Sequence, residues 1–211
     1  MIDMNRPKRS EKTKEALITE GIDQLSRHGY HGTGIKQILD AVKVPKGSFY
    51  NYFSSKESFV AEILEQYSED GLQQLDAFTE NSLLTPLEQI KTIYDFALMK
   101  FSEQSCQQGC LIGSIAAEIG NQSETCQKVM LRSVDKWKSR FAKLLEKGQQ
   151  QGQIREDLTA IQIADIFWSA WEGSLIRMKM EANIAPAQQL LNIMLDHLLK
   201  PVPQKPYNKL K

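Results

Sequence analysis

The chain has 211 residues, 41% of them hydrophobic, with 26 Lys/Arg balanced by 26 Asp/Glu. That describes one or two globular domains with a proper core, and no run approaches the roughly 18 apolar residues of a membrane span. A charged N-terminus without a signal-peptide pattern and an odd three cysteines point to reduced thiols in the cytoplasm.

The zero net charge hides an asymmetry. Residues 1–56 carry ten Lys/Arg and six Asp/Glu, and the remaining 155 carry sixteen and twenty. A basic N-terminal module on an acidic body suits a polyanion partner at one end only.

Residues 1–10 read as a loose basic arm. The first helix runs from about Ser10 to Arg27, with Leu17, Ile18, Gly21, Ile22 and Leu25 as its inward stripe and Gly29 placed to end it. The Lys and Arg at its N-terminal end suit phosphate contacts; the plainer reading is a solvated basic end. Thr33 is placed to cap a second helix, which buries Ile35, Ile38, Leu39 and Val42 at helical spacing. After a turn at Val42–Val44, Pro45 fits the first position of a third helix that runs to about Phe53. There Ser54-Ser55-Lys56-Glu57 has the form of a capping box, with Ser54 as cap and Glu57 reaching back. Two short helices joined by a tight turn make the helix-turn-helix plan, whose second helix enters the DNA major groove.

Phe49 and Phe53, four apart, anchor that second helix on the core. Lys46, Gly47, Ser48, Tyr50, Asn51 and Tyr52 then occupy its remaining surface, offering a cation, hydroxyls, an amide and a close backbone approach. Such groups suit phosphate oxygens and base edges. Singly, Tyr50 and Tyr52 pass for half-buried aromatics and Lys46 for a solvated charge; in this order and with this capping, they point to DNA. Thr33, Lys36, Lys43, Pro45 and Lys56 complete the candidate set.

The stretch PKGSFYNYFSSKESF resembles the recognition helix and following helix start of the TetR family of bacterial transcriptional regulators. Leu17, Ile18, Gly21, Ile22, Leu25, Gly29 and Tyr30 match that family's first helix and its closing glycine, so the resemblance covers roughly residues 12–65. Two positions depart from it. Lys43 stands where the family's turn carries Gly, a strain of order 1 kcal/mol if its φ is positive. Pro45 replaces the usual Ser or Thr before the Lys-Gly pair. The resemblance implies Lys56 as a phosphate ligand and an all-helical ligand-binding domain beyond the reading head. It also implies a homodimer on a pseudo-palindromic double-stranded DNA operator, with repression as its action.

A fourth helix from Ser55 to about Glu80 carries Phe59, Ile63, Tyr67, Leu72, Leu75 and Phe78 and is long enough to link reading head to body. Within the family, its tilt sets the spacing of the paired heads. Thr85-Pro86 opens a fifth helix with Leu87, Ile90, Ile93, Tyr94, Ala97, Leu98 and Phe101 on its apolar face. Gln104–Gly109 is a polar interruption before a short sixth helix, Cys110–Ile119. Ser123 caps a seventh, to about Gln151, with Val129, Val134, Trp137, Phe141 and Leu144 or Leu145 inward. Asp157 or Thr159 starts an eighth, and a ninth runs from Pro186 to about Lys200. These last two are too apolar for solvent on all sides. Their excess fits pairing with symmetry mates in a four-helix interface, the alternative being intrachain core.

The expected fold is therefore all-α, with about nine helices. The expected division is a helix-turn-helix DNA-binding domain at 1–56, a helical effector-binding and dimerisation domain at 57–200, and a tail at 201–211.

Enzyme chemistry finds little footing. His28, His31 and His197 are scattered, and Cys106 and Cys110 have no second pair to complete a tetrahedral metal site, so neither metal nor cofactor is expected. Cys110 follows a Gly at a helix N-terminus, where unpaired N–H groups favour a thiolate. The sequence GCLIGSIAAEIGNQSE also resembles the branch of the TetR family that responds to reactive electrophiles. Lys179 is a candidate partner for that thiol, or else snorkels to solvent beside Arg177. A non-covalent alternative lines a cavity with Phe101, Trp137, Trp168 and Trp171, residues that at helical spacing also suit plain core. The expected function is an operator-binding repressor released by a small molecule or electrophile. Rival classes are a DNA-bound adaptor without an effector and a small helical enzyme.

Overall fold

Apolar side chains recur at helical spacing along most of the chain. The computed structural model, which describes residues 9–80 and 83–202, turns that spacing into nine α-helices with no strand among the described residues. The reading head uses α1 (Arg9–Gly32), α2 (Ile35–Ala41) and α3 (Lys46–Phe49), followed by α4 (Lys56–Thr79). Then come α5 (Pro86–Glu103), α6 (Leu111–Ile119), α7 (Glu124–Gln150), α8 (Ala160–Glu181) and α9 (Ala185–Ile193), which runs on into a π-helical turn, Met194–Leu198. Most of the basic arm and of the expected tail lies outside the described residues.

Helix starts in the body follow their capping chemistry. Thr85 opens α5: its hydroxyl accepts from Glu88 N at 3.4 Å, and the Glu88 carboxylate takes Thr85 N at 2.8 Å. Thr159 and Gln162 repeat the exchange at α8. Thr159, not Asp157, is thus the cap, and Asp157 instead pairs with Arg155 at 2.6 Å. At α7 the Ser123 hydroxyl accepts from Cys126 N at 3.4 Å.

Local chemistry differs from expectation at four places in the reading head. Thr33 is buried and does not cap α2; its hydroxyl donates to Gln24 O at 3.2 Å. Gly34 is the cap residue, its N–H taken by the Gln37 side chain at 2.9 Å. Pro45 stands at the cap of α3 rather than at its first helical position, with extended backbone (φ −61°, ψ 145°). Regular helix in α3 ends at Phe49 and gives way to a turn through Tyr52, tied by Tyr52 N to Phe49 O at 2.9 Å. Ser55, not Ser54, caps α4: Ser58 N donates to its hydroxyl at 3.1 Å, and Ser55 N donates back to the Ser58 hydroxyl at 3.0 Å. A serine three residues on thus does the reciprocal work expected of Glu57. Lys43 has φ 56°, the left-handed conformation in which a non-glycine residue carries strain.

Packing divides the chain into two compact units, one within residues 1–74 and 107–135, the other within 75–106 and 136–211. This grouping is not the functional division drawn at 56/57, because α6 and the first part of α7 pack with the reading head. The core of the first unit gathers Leu17, Leu25, Ile38, Phe49, Phe53, Phe59, Ile63, Leu111, Ile115 and Cys126. In the second, Tyr94, Phe141, Phe167 and Trp171 are buried with Ile90, Leu98, Ile163 and Leu175.

Candidate nucleic-acid interface and effector site

Three phenylalanines orient α3. Phe49, Phe53 and Phe59 are each at most 1% exposed, with ring centroids 4.6–5.2 Å apart. Burying them turns the rest of α3 outward. Lys43, Pro45, Lys46, Gly47, Tyr50 and Asn51 are exposed, with Ser48 and Tyr52 half-buried. A groove of about 470 Å³ runs beside them, with Lys36, Lys46, Tyr50 and Lys56 around it. An added Cβ on Gly47 would meet nothing within 4 Å. Lys36 is exposed and paired with Asp40 at 2.5 Å, a bridge of the kind water and phosphate readily exchange.

Two members of the candidate set turn inward. The Thr33 side chain is buried. The Lys56 ammonium donates to Tyr30 O at 2.5 Å and Thr33 O at 2.6 Å and lies 4.3 Å from the Tyr30 ring centroid. Burial lowers the Lys56 pKa and the Glu118 carboxylate acts to raise it. With two carbonyls and a ring around it, Lys56 ties the end of α1 to the start of α4. Those partners lie 23 and 26 residues away in sequence, so spacing gives no sign of them.

Cys110 is the N-cap of α6, partly buried against the first unit's core, and its carbonyl accepts from Ser114 N at 3.0 Å. Cys106 is buried in a turn after α5 has ended, with φ 57°, so the two thiols do not share a helix face. Cys126 is fully buried. Its thiol donates to Glu57 O at 3.6 Å, and burial raises its pKa. No group of three or more His, Cys, Asp or Glu suited to a metal occurs among the described residues.

The four aromatic candidates fall together in the second unit, with Tyr94 and Phe141 from the apolar faces of α5 and α7. Trp137 stacks on Phe141 at 4.8 Å and meets Trp168 at 5.1 Å; Trp171 packs on Tyr94 at 4.7 Å and reaches Phe101 at 6.5 Å. Tyr94 sits at the centre, 4% exposed, and its hydroxyl has no hydrogen-bond partner among the described residues. Burial, with the Glu172 carboxylate adding to it, raises its pKa well above the usual phenol value. Lys179 is exposed on α8 next to exposed Met180, and belongs to this unit while Cys110 belongs to the other. The same helix leaves Ile166, Ile176 and Met180 exposed, and α9 leaves Ile193.

Both ends of the chain match known families. Residues 14–63 match bacterial regulatory proteins, tetR family, and residues 86–194 match the tetracyclin repressor-like C-terminal domain. The HTH-type transcriptional repressor DhaR of Mycobacterium sp. (strain GP1) is 32% identical over 186 residues, spanning 88% of this chain and 92% of that protein. The crystal structure of regulatory protein TetR from Rhodobacter sphaeroides is similar at a TM-score of 0.84 and 28% identity, over 89% of this chain and 99% of that one. The crystal structure of E. coli NemR in its reduced form is similar at 0.81 and 26% identity, over 89% and 97%.

Proposed function

The chain belongs to the TetR family of DNA-binding transcriptional regulators, and on that premise we propose how its own residues carry the function. It is a homodimeric repressor that docks α3 and the turn before it in the major groove of a pseudo-palindromic operator. It acts in the cytoplasm, where that DNA lies. The observation that carries this reading is the outward face of the reading head. There Lys43, Lys46, Tyr50 and Asn51 are exposed along with Gly47, a glycine with open space where a side chain would be. Cations and the backbone take phosphates, while the amide and phenol reach base edges.

Release is through α6. Cys110 lies at the helix end where unpaired N–H groups and the positive dipole favour a thiolate. Adding to an α,β-unsaturated carbonyl, its sulfur forms a bond to the β-carbon as the C=C π bond opens. The electron pair passes to the carbonyl oxygen, and the enolate takes a proton from water. The similar crystal structure of E. coli NemR is that of a reduced form, which supports a redox- or thiol-responsive effector region here.

A second reading rests on Tyr94, whose unpartnered hydroxyl inside an aromatic cluster suits a non-covalent ligand with a hydrogen-bonding group.

Titrating a DNA fragment from upstream of the protein's own gene, with and without N-ethylmaleimide, separates the two. We expect the reagent to weaken wild-type binding by about 5–150-fold, the usual size of such coupling, and to leave Cys110→Ser on the DNA. If both proteins bind and neither responds, the thiol reading fails and Tyr94 becomes the place to look. A protein that binds and answers to no compound of either kind is the adaptor of the rival reading.

A further inference from the structure

Gly29 breaks α1 three residues before its end, with φ 70° and ψ −174°. The break turns the N–H groups of Tyr30 and His31 away from the helix that would otherwise have paired them. Both are taken by one side chain: Glu118 of α6 accepts from Tyr30 N at 3.0 Å and from His31 N at 2.9 Å, one through each carboxylate oxygen. Glycine is needed at 29 for its φ and for space, since a Cβ there would lie 1.9 Å from Glu118 Oε1. Positions 29 and 118 are therefore fitted to each other across 89 residues of chain.

The other side of the same short segment is held by Lys56, through the carbonyls of Tyr30 and Thr33. Thr33 and Gly34 lead directly into α2, so the segment gripped by α6 and α4 sets where the helix-turn-helix begins. The segment leading into α6 is also pinned to α1, where the Gln108 amide, two residues before Cys110, donates to Asp23 at 3.3 Å. Between the two pins, Leu111, Ile112, Ile115 and Ile119 fix the buried face of α6. Cys110 lies just after the first pin, and Glu118 is about 12 Å further along the helix. Rotation or sliding of α6 thus strains a clasp that ends on the reading head.

We propose that Glu118 is a positioning residue for operator binding. Its carboxylate holds the helix-turn-helix in the DNA-competent setting, and a change at the start of α6 reaches the DNA by loosening that hold. The inference rests on the operator-binding reading above. Ionic hydrogen bonds of this kind are stronger than neutral ones, so the clasp is both firm and specific.

The test combines operator titration with amide exchange by NMR on the full chain. Glu118→Ala leaves two N–H groups unpaired and should bind the operator fragment about tenfold more weakly, within the usual range of coupling. Its salt dependence should match that of wild type, because no phosphate contact is lost. Glu118→Gln keeps one acceptor oxygen and should fall between. The amides of Tyr30 and His31 should exchange faster in both variants, and also in wild type treated with N-ethylmaleimide, but not in treated Cys110→Ser. Should Glu118→Ala fail to fold, Glu118→Gln and the treated wild type decide the matter. The proposal is overturned if the folded variants bind like wild type, or if treated wild type leaves the DNA with both amides still protected. A wild type that never binds the fragment brings down the operator reading itself, and this inference with it. A wild type that binds but ignores the reagent removes the Cys110 route and leaves the titration of the Glu118 variants to decide the positioning role.

Discussion

Gly47 occupies the second position of a four-residue helix, where glycine costs up to about 1 kcal/mol relative to alanine. Nothing among the described residues lies within 4 Å of where its side chain would begin, so packing within them does not require glycine there. Gly47→Ala is accordingly expected to stabilise the isolated protein by up to about 1 kcal/mol in urea melts. The same change should weaken operator binding, because the added methyl meets DNA backbone or bases. A variant that gained stability and kept full affinity would remove α3 from the groove. The outward placement of Lys46, Tyr50 and Asn51 was legible in sequence because Phe49 and Phe53 fix which side of α3 is buried. The inward placement of Thr33 and Lys56 was not legible, for the opposite reason: their partners, Gln24, Tyr30 and the Thr33 carbonyl, are set by where α1 breaks. Spacing alone does not reveal that.

At the scale of elements, α3 is far too short to persist alone, since an isolated helix below about 12 residues is marginal in water. Packing of Phe49 on Phe53 and Phe59 holds it, and Phe49 is fully buried. Phe49→Ala should therefore cost about 3–5 kcal/mol in urea unfolding followed by circular dichroism, and should take operator binding with it. A loss below about 1 kcal/mol would mean the head collapses around the cavity and α3 is held some other way. Helix existence and type followed from periodicity, and the starts of α5 and α7 from Thr85 and Ser123. The cap of α4 slipped by one residue because two adjacent serines can each serve, and only the reciprocal bond with Ser58 picks Ser55. The Glu118 clasp left no sequence signal at all; a glutamate on a short apolar helix looks like its one solvated residue.

For the whole molecule, the exposed apolar residues Ile166, Ile176 and Met180 on α8 and Ile193 on α9 have too much surface for water. Gly173 and Ala170 lie among them on α8 and let another helix come close. On the homodimeric reading proposed above, a second copy of this chain covers that face, and the operator's half-sites lie about 34 Å apart, one helical turn of DNA. The excess of apolar residues in the last two helices was visible in sequence, but its split into a core side (Ile163, Phe167, Trp171, Leu175) and an exposed side needed the packing. The most direct measurement is a titration of the upstream DNA fragment over a salt series, with wild type and with Ile176→Glu/Met180→Glu. The account predicts two wild-type chains per site and an affinity falling by about a thousandfold between 50 and 200 mM salt, as several phosphate contacts require. It also predicts a variant that sediments as a monomer and binds far more weakly. Wild-type binding that is flat with salt, or a monomeric variant as tight as wild type, would contradict it.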